Sequence, residues 1–258
     1  KAYGLCNPQH FNELRASIRK GETRWLRGGP PCKTFSRARR SDQFARARRL
    51  RSDRVPEGFK PRPFKVIEAN LLATRMARLA RCIYKAGGWF SIENPEESLM
   101  WKFSPLASLA KLEGVELYKG DQCALGGFYK KPTGWLSNAP WLSVVCKRCP
   151  PEHPVHPPLV GFAETSDGRT VWMTELAAEY SEGLCDSLAS AYSDALRTAP
   201  QNSAPKRNII EMEGPTHTTE GPTKRVRKDI EADNCVGGLR NPLAGLRHIP
   251  KSAEVGAL

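Results

Sequence analysis

Acidic residues are scarce in this 258-residue sequence, which carries 27 Asp and Glu against 40 Lys and Arg. The formal net charge is +13 and the sequence pI is about 9.5. A chain this basic suits an anionic polymer as its partner better than a small acidic metabolite. The charge therefore favours nucleic acid as a partner, without distinguishing DNA from RNA.

Long hydrophobic runs are also missing, since no apolar stretch approaches the roughly 20 residues that span a bilayer. No signal-peptide pattern opens the sequence, which predicts that the protein is not secreted. The eight cysteines are too dispersed along the chain for a small disulfide-bonded scaffold. We therefore expect a protein of a reducing, intracellular compartment with no role in the membrane.

Hydrophobic residues make up 40% of the chain and include six Trp, which is enough for one sizeable core. Segments with helical periodicity alternate with short strand-like segments, and this alternation predicts a mixed α/β sheet. The clearest helix is 64–85, where apolar residues recur on one face and two glycines follow. We assign residues 1–197 to one domain.

Residues 198–258 have a different composition, in which Pro, Thr, Ser, Glu and Lys dominate and large apolar residues are few. Such a segment buries too little apolar surface to offset the entropy lost when its backbone becomes ordered. We predict a largely disordered tail. Its basic run KRVRK at 224–228 is typical of a nuclear-import signal, which predicts a nuclear location in a eukaryotic cell; a weak phosphate contact is the alternative.

A cysteine on a stiff loop is the first candidate for chemistry. Residues 27–36 read RGGPPCKTFS, so Cys32 follows two prolines that fix φ and two glycines that permit unusual backbone shapes. A short apolar strand at Trp25 and Leu26 leads into this loop and places the thiol at the end of a strand. Because free cysteines are more often small buried hydrophobes, the motif indicates catalysis only together with a second element.

Arginines crowd the segment directly after this loop. Residues 37–54 carry eight arginines and only two acids, Asp42 and Asp53. Such a field favours the thiolate form of Cys32 and attracts phosphate groups. We predict a nucleic-acid-binding segment, with a solvated charged face as the alternative. The candidate contacts, including two lysines farther along the chain, are Arg37, Arg39, Arg40, Arg46, Arg48, Arg49, Lys130 and Lys131.

A carboxylate stands at the end of a second short strand. Residues 86–95 read AGGWFSIENP, a pattern of turn, buried strand, Glu93 and a proline that stops the strand. Ligands bind at the carboxyl ends of strands in open α/β sheets. We therefore expect Cys32 and Glu93 to face one cleft across neighbouring strand ends.

Two cysteines and two histidines lie close together in a proline-rich segment. Residues 146–156 read CKRCPPEHPVH, and this composition predicts a tetrahedral zinc site formed by Cys146, Cys149, His153 and His156. A proline-rich loop with incidental thiols is the alternative. A zinc nucleobase deaminase is excluded, because neither histidine has a Glu two residues after it.

The loop GPPCKTFS at 29–36 and the strand end ENP at 93–95 together resemble the DNA cytosine-5 methyltransferase family. The fourth motif of that family carries a catalytic Pro-Cys, and its sixth motif carries a Glu-Asn pair. The segments DQC at 121–123, KPT at 131–133 and 180–185 are similar to methyltransferase-like domains of phages and retroelement polyproteins. The resemblance covers about residues 1–197, and it implies a partial Rossmann-like methyltransferase fold with a mixed, mostly parallel sheet.

The resemblance also implies roles for individual residues. Cys32 would add to carbon 6 of cytosine in DNA, Glu93 would hold the N3 edge of the ring, and S-adenosylmethionine would supply the methyl group. The residues expected to support these two are Pro30, Pro31, Ser36, Asn94, Pro95 and Gln122.

Two motifs of that family have no counterpart in the sequence. The glycine-rich first motif is not found between Lys1 and Cys32, so we expect the domain to be N-terminally incomplete. The Q-x-R-x-R motif is also missing, and Gln122, Lys130 and Lys131 are only loose substitutes.

Two other interpretations stay open. One is a catalytically inactive, basic nucleic-acid-binding domain of a retroelement polyprotein; the other is an amino-methyltransferase with a variant P-P-C loop, whose motif has Ser, Asn or Asp where Gly29 stands.

Overall fold

A computed structural model of the protein shows a four-stranded sheet with helices on both faces. The residues that it describes are 4–37, 49–153, 155–159, 161–165, 167–198 and 247–249. The first helix, α1 (Pro8–Arg19), follows Asn7, and Asn before Pro is a sequence typical of an N-cap with proline in the first turn. The Asn7 side chain accepts a hydrogen bond from the backbone N–H of Gln9 at 2.8 Å, which satisfies a donor that the helix itself leaves free.

Two parallel strands and a crossover helix form the centre of the sheet. Strand β1 (Trp25–Gly28) pairs with β2 (Trp89–Pro95), and Gly28 lies opposite Ile92. Between them runs α2 (Phe64–Lys85), the long connection that a parallel pair requires. The bounds of α2 confirm the helix predicted from the apolar spacing.

The two remaining strands of the sheet run antiparallel, so the prediction of a mostly parallel sheet is wrong. After the short helix α3 (Ser104–Leu109), strands β3 (Glu116–Asp121) and β4 (Pro132–Ser137) pair with each other, and β4 also pairs with β2. The strand order is β1-β2-β4-β3. Only residues 122–131 connect β3 to β4, and this segment is too short for the crossover of a dozen or more residues that a parallel pair needs. The fold is mixed α/β.

A second, smaller sheet follows the first. Strand β5 (Phe162–Glu164) pairs antiparallel with β6 (Thr170–Trp172) and with β7 (Arg247–Ile249), and α4 (Met173–Leu176) follows β6. Strand β7 belongs to the predicted tail, so these three residues are a strand where disorder was predicted. The rest of the tail, including the basic run at 224–228, lies outside the described residues.

The large sheet buries both of its faces. Phe90, Ile92 and Leu136 pack with residues of α1, α2 and α3 on one face. On the other face Trp135 packs with Leu184 of α5 (Glu182–Thr198) and with the 3₁₀ helix Pro140–Val145. Because successive residues of a strand point to opposite sides, β2 and β4 contribute to both cores. No helix of the described residues is both long enough and apolar enough to cross a membrane.

Arg51 fixes the chain that follows the Cys32 loop. Its guanidinium is fully buried and stacks over the Phe35 ring at 3.6 Å. It donates hydrogen bonds to the hydroxyl of Thr34 at 2.8 Å, to the carbonyl of Pro56 at 2.6 Å and to the side-chain oxygen of Asn70 at 2.7 Å. Burial lowers the pKa of Arg51 to about 10. Arg51 therefore stabilises the fold of this segment. It is not part of the exposed basic surface that the sequence predicted for residues 37–54.

Candidate active site

The ends of β1 and β2 bring the two predicted catalytic residues together. Since Gly28 and Ile92 are register partners, the Cys32 loop leaves β1 beside the end of β2, where Glu93 stands. The Asn94 side chain donates a hydrogen bond to the carbonyl of Pro30 at 2.9 Å and fastens the loop to β2. Asn94 and Pro30, which were both expected to support Cys32 and Glu93, are thus in direct contact.

The Cys32 loop is also held at its far end. The backbone N–H of Phe35 donates to the carbonyl of Cys32 at 2.8 Å, and the N–H of Leu99 donates to the carbonyl of Phe35 at 3.0 Å. Phe35 is fully buried, whereas Cys32 and Ser36 are half-buried. The thiol thus sits on a short turn that is anchored on both sides, and it keeps access to solvent.

Glu93 is nearly buried, and both of its carboxylate oxygens have neighbours. Oε2 accepts a hydrogen bond from the Tyr180 hydroxyl at 2.7 Å, and Oε1 lies 4.0 Å from Nζ of Lys131. A side chain at Gly29 would place its Cβ 3.1 Å from Oε2 of Glu93 and 3.5 Å from the Tyr180 hydroxyl. Glycine at position 29 therefore leaves the space in which the carboxylate and the phenol meet.

Tyr180 is held between two cations. The Arg27 guanidinium lies 4.4 Å from the centre of the ring, and the Lys131 ammonium lies 5.5 Å from it. Burial, and then the negative charge of Glu93, raise the pKa of the Tyr180 hydroxyl. Tyr180 is therefore protonated at neutral pH and acts as a hydrogen-bond donor to Glu93.

The environment of Cys32 favours the thiol over the thiolate. Burial raises the pKa of Cys32, the charge of Glu93 raises it further, and Lys131 and Lys33 oppose these effects more weakly. The pKa of Cys32 is thus raised, whereas the arginine-rich segment was expected to lower it; most of that segment lies outside the described residues. The effect of the Glu93 charge on the pKa of Cys32 indicates that the two side chains lie near each other.

We expect the Glu93→Gln and Lys131→Met variants to shift the pKa of Cys32 in opposite directions. Loss of the Glu93 charge removes repulsion from the thiolate, so the midpoint of the pH dependence of alkylation by iodoacetamide moves down. Loss of the Lys131 charge removes attraction, so this midpoint moves up. Mass spectrometry of the tryptic peptide 28–33, which holds Cys32, measures the alkylation at each pH.

Lys130→Met is the matched control for Lys131→Met, because Lys130 is the exposed neighbour and does not act on Cys32. Its midpoint is expected to equal that of the parent protein. A Glu93→Gln variant whose midpoint stays in place or rises would contradict the shared cleft.

Gln122 and Lys131 lie close together at the two ends of the connection between β3 and β4. Gln122 is buried, and its amide donates to the Thr133 hydroxyl at 3.0 Å, while that hydroxyl donates to the carbonyl of Lys131 at 2.9 Å. Lys131 has a φ of 32° and points its ammonium toward Glu93. Gln122 thus supports the turn that presents Lys131, and Lys131 belongs to the carboxylate site.

The predicted nucleic-acid contacts are only partly within the described residues. Arg37 donates two hydrogen bonds to the carboxylate of Asp53 and one to the carbonyl of Glu97. Arg49 and Lys130 are exposed. The candidates that lie outside the described residues are Arg39, Arg40, Arg46 and Arg48. Of the predicted contacts that the structure describes, Arg49 and Lys130 are therefore exposed, whereas Arg37 is paired with Asp53.

The predicted zinc ligands need one correction. Cys149, His153 and His156 do gather, but the fourth member of the cluster is Cys123, and Cys146 is exposed. The ligand atoms of these four side chains all lie within 4.8 Å of one another. Such a cluster can hold a metal ion and is compatible with zinc.

Three participants of the site were not predicted from the sequence in these roles. Tyr180 lies 87 residues from its partner Glu93, and Arg27 was regarded only as the start of the Cys32 loop. Lys131 was assigned to phosphate. No local sequence pattern marks Lys131 as a positioned side chain, because its positive φ is a property of the folded chain.

A cavity of about 330 Å³ lies beside the Cys32 loop. It is lined mainly by apolar side chains and by the loop backbone, and Arg27 is the charged residue among those that line it. One nitrogen of that guanidinium, Nη2, is buried without a hydrogen-bond partner among the described residues. The described lining of the cavity is therefore mainly apolar.

No family model, curated protein or solved structure matches the chain significantly.

Proposed function

We propose that the chain is a diverged DNA cytosine-5 methyltransferase domain in which Cys32 forms a covalent adduct with carbon 6 of cytosine. The observation that carries this proposal is the convergence of the Cys32 thiol and the Glu93 carboxylate at the ends of adjacent parallel strands. The motif resemblance supplies the reaction class. We also propose that the sheet is part of a Rossmann-like methyltransferase fold, and the β1-α2-β2 unit with helices on both faces supports this.

The addition step balances without any other reactant. The sulfur electron pair forms a bond to carbon 6, the C5–C6 π pair moves to C4–C5, and the C4–N3 π pair moves to N3. The thiol proton ends on N3, where the Glu93 carboxylate accepts the N3–H hydrogen bond. The product is an enamine whose carbon 5 is a nucleophile, which free cytosine is not.

Binding of the base also explains how a resting thiol becomes reactive. The charge of Glu93 is one reason why the pKa of Cys32 is raised. When the exocyclic amino group of the bound cytosine donates a hydrogen bond to that carboxylate, part of its charge is compensated and the repulsion on the thiolate falls. Cys32 is then activated only when cytosine is in place.

Tyr180 is a positioning residue in this scheme. Its hydroxyl holds Oε2 of Glu93 at 2.7 Å, which leaves Oε1 for the substrate. Lys131, with its Nζ 4.0 Å from Oε1 of Glu93, attracts the developing thiolate. Because the ring must be attacked on its face, the target base has to leave the duplex stack to reach this cleft.

The methyl donor implied by the resemblance, S-adenosylmethionine, is not well matched by the cavity beside the loop. The cavity offers apolar surface and Arg27, but no carboxylate lines it for the ribose hydroxyls or the ammonium group of the cofactor. The chemistry that the described residues carry is therefore the addition step. That step needs only Cys32, Glu93 and their neighbours.

A catalytically inactive nucleic-acid-binding domain of a retroelement polyprotein is the second candidate. The specific observation in its favour is that the pKa of Cys32 is raised and that Tyr180 already binds Glu93. In such a domain the cleft residues would serve only to stabilise the fold, and the basic surface would bind nucleic acid.

Trapping on DNA that contains 5-fluorocytosine, in the presence of S-adenosylmethionine, separates these two functions. Fluorine at carbon 5 blocks the elimination that releases the enzyme, so a methyltransferase forms a stable covalent complex with the DNA. A binding domain shifts the same DNA on a native gel but forms no such complex, and Cys32→Ser leaves its affinity unchanged. A covalent complex that depends on Cys32 supports the methyltransferase, and its absence together with a gel shift supports the binding domain.

A further inference from the structure

We propose that Cys123, Cys149, His153 and His156 bind one structural zinc ion that fastens segment 146–159 to the end of β3. The four ligand atoms lie within 4.8 Å of one another. Ligands of a tetrahedral zinc ion with thiolate and imidazole bonds are separated by about 3.3–3.8 Å. Sγ of Cys149 lies 3.3 Å from Nε2 of His156 and 3.6 Å from Nδ1 of His153, which agrees with that geometry.

The ligands come from two parts of the chain that the fold brings together. Cys123 lies on the 3₁₀ helix Gln122–Leu125, directly after β3. The backbone N–H of Asp121 donates to the carbonyl of Lys147 at 2.8 Å, and the N–H of Cys149 donates to Oδ2 of Asp121 at 2.9 Å. These bonds set Cys149 beside Cys123 and leave Cys146 exposed.

The hydrogen bonds of one histidine fit a metal ligand. Nδ1 of His156 lies 3.1 Å from the carbonyl oxygen of Phe128, and a carbonyl can only accept. The proton of the imidazole is therefore on Nδ1, which leaves the lone pair of Nε2 directed toward Cys149 and available to a metal. Histidines that bind zinc commonly donate their second N–H to a backbone carbonyl in this way.

Four protein ligands complete a tetrahedral zinc site, so the ion has no open position for a substrate. Its role is therefore structural. The site connects the end of β3 to segment 146–159 and, through the carbonyl of Phe128, to the turn that precedes Lys131. Around it Arg148 adds a bidentate ion pair with Glu96 at 2.7 and 3.0 Å. This proposal does not depend on the function of the Cys32 cleft.

Zinc content of the purified full chain, measured by inductively coupled plasma mass spectrometry after dialysis, tests the site. We expect about one zinc ion per chain. Cys123→Ser is expected to lower the zinc affinity at least about 100-fold, since a hydroxyl does not replace a thiolate ligand. Cys146→Ser is the matched control, because it removes an exposed cysteine three residues from Cys149, and it should keep the full zinc content.

Substitution with Co²⁺ gives a readout that does not require a folded variant. The intact chain should show the sulfur-to-cobalt charge-transfer and d–d absorption of a tetrahedral site with two thiolates, and addition of Zn²⁺ should remove it. Three results would overturn the proposal: a parent chain without bound zinc or cobalt, full zinc content in Cys123→Ser, or equal loss from Cys146→Ser. The proposal would also be overturned by a Cys123–Cys149 disulfide in protein that was freshly purified in the presence of a reductant.

Discussion

Replacing Cys32 with serine is expected to abolish the exchange of the cytosine C5 hydrogen with deuterated solvent. In the adduct, carbon 5 is an enamine carbon that takes up a deuteron, and loss of the original proton with expulsion of Cys32 leaves labelled cytosine. A serine hydroxyl is far less nucleophilic at neutral pH, so the rate should fall by a factor on the order of 10³ or more. Mass spectrometry of nucleosides from digested DNA measures the label, and the assay requires no methyl donor.

The control for this variant is Cys185→Ser, which removes an exposed cysteine on α5. We expect its exchange rate to equal that of the parent chain. Exchange that persists in Cys32→Ser would show that the sulfur does not form the adduct. If both variants lost exchange activity equally, the cause would be a destabilised fold and not the loss of the Cys32 nucleophile.

Replacing Arg51 with methionine is expected to lower the free energy of unfolding by about 3–5 kcal/mol. Methionine fills part of the space but donates no hydrogen bonds, so buried oxygens of Thr34, Pro56 and Asn70 lose their donor. The stacking of the guanidinium over Phe35 is lost as well. Urea denaturation followed by tryptophan fluorescence measures the change.

Arg54→Met makes the same substitution three residues away, at an exposed position. Its effect is expected to stay within about 0.5 kcal/mol, as for other surface substitutions. If the two variants lost equal stability, the loss would follow from the change in net charge. The buried contacts of Arg51 would then not be what stabilises this segment.

The helices that can be predicted from the sequence are marked by local sequence patterns. Helix α1 has an N-cap and a proline in its first turn, and α2 has an apolar stripe that ends at two glycines. The directions of β3 and β4 were not predicted, since a strand has the same alternation whichever way it runs. Direction depends on the connection, and residues 122–131 permit only an antiparallel return.

The same distinction between local patterns and tertiary contacts applies to the candidate site. The Cys32 loop and the end of β2 at Glu93 were predicted because each is a local pattern of proline, glycine and a reactive group. Tyr180 and Cys123 were not predicted as partners, because they reach Glu93 and Cys149 only through the tertiary fold. Arg51 looked like its neighbouring arginines, since composition reports charge and does not report burial.

The central claim, that Cys32 bonds to a cytosine ring held by Glu93, is tested most directly by mapping the adduct. DNA containing 5-azacytosine has nitrogen in place of carbon 5, so carbon 6 is more electrophilic and the adduct has no C5 hydrogen whose loss would release the protein. After incubation with this DNA and digestion by nuclease and trypsin, mass spectrometry is expected to find the azapyrimidine nucleotide on peptide 28–33, with less of it in Glu93→Gln. An adduct on any other cysteine peptide, or none at all on DNA that the protein binds, would contradict the claim.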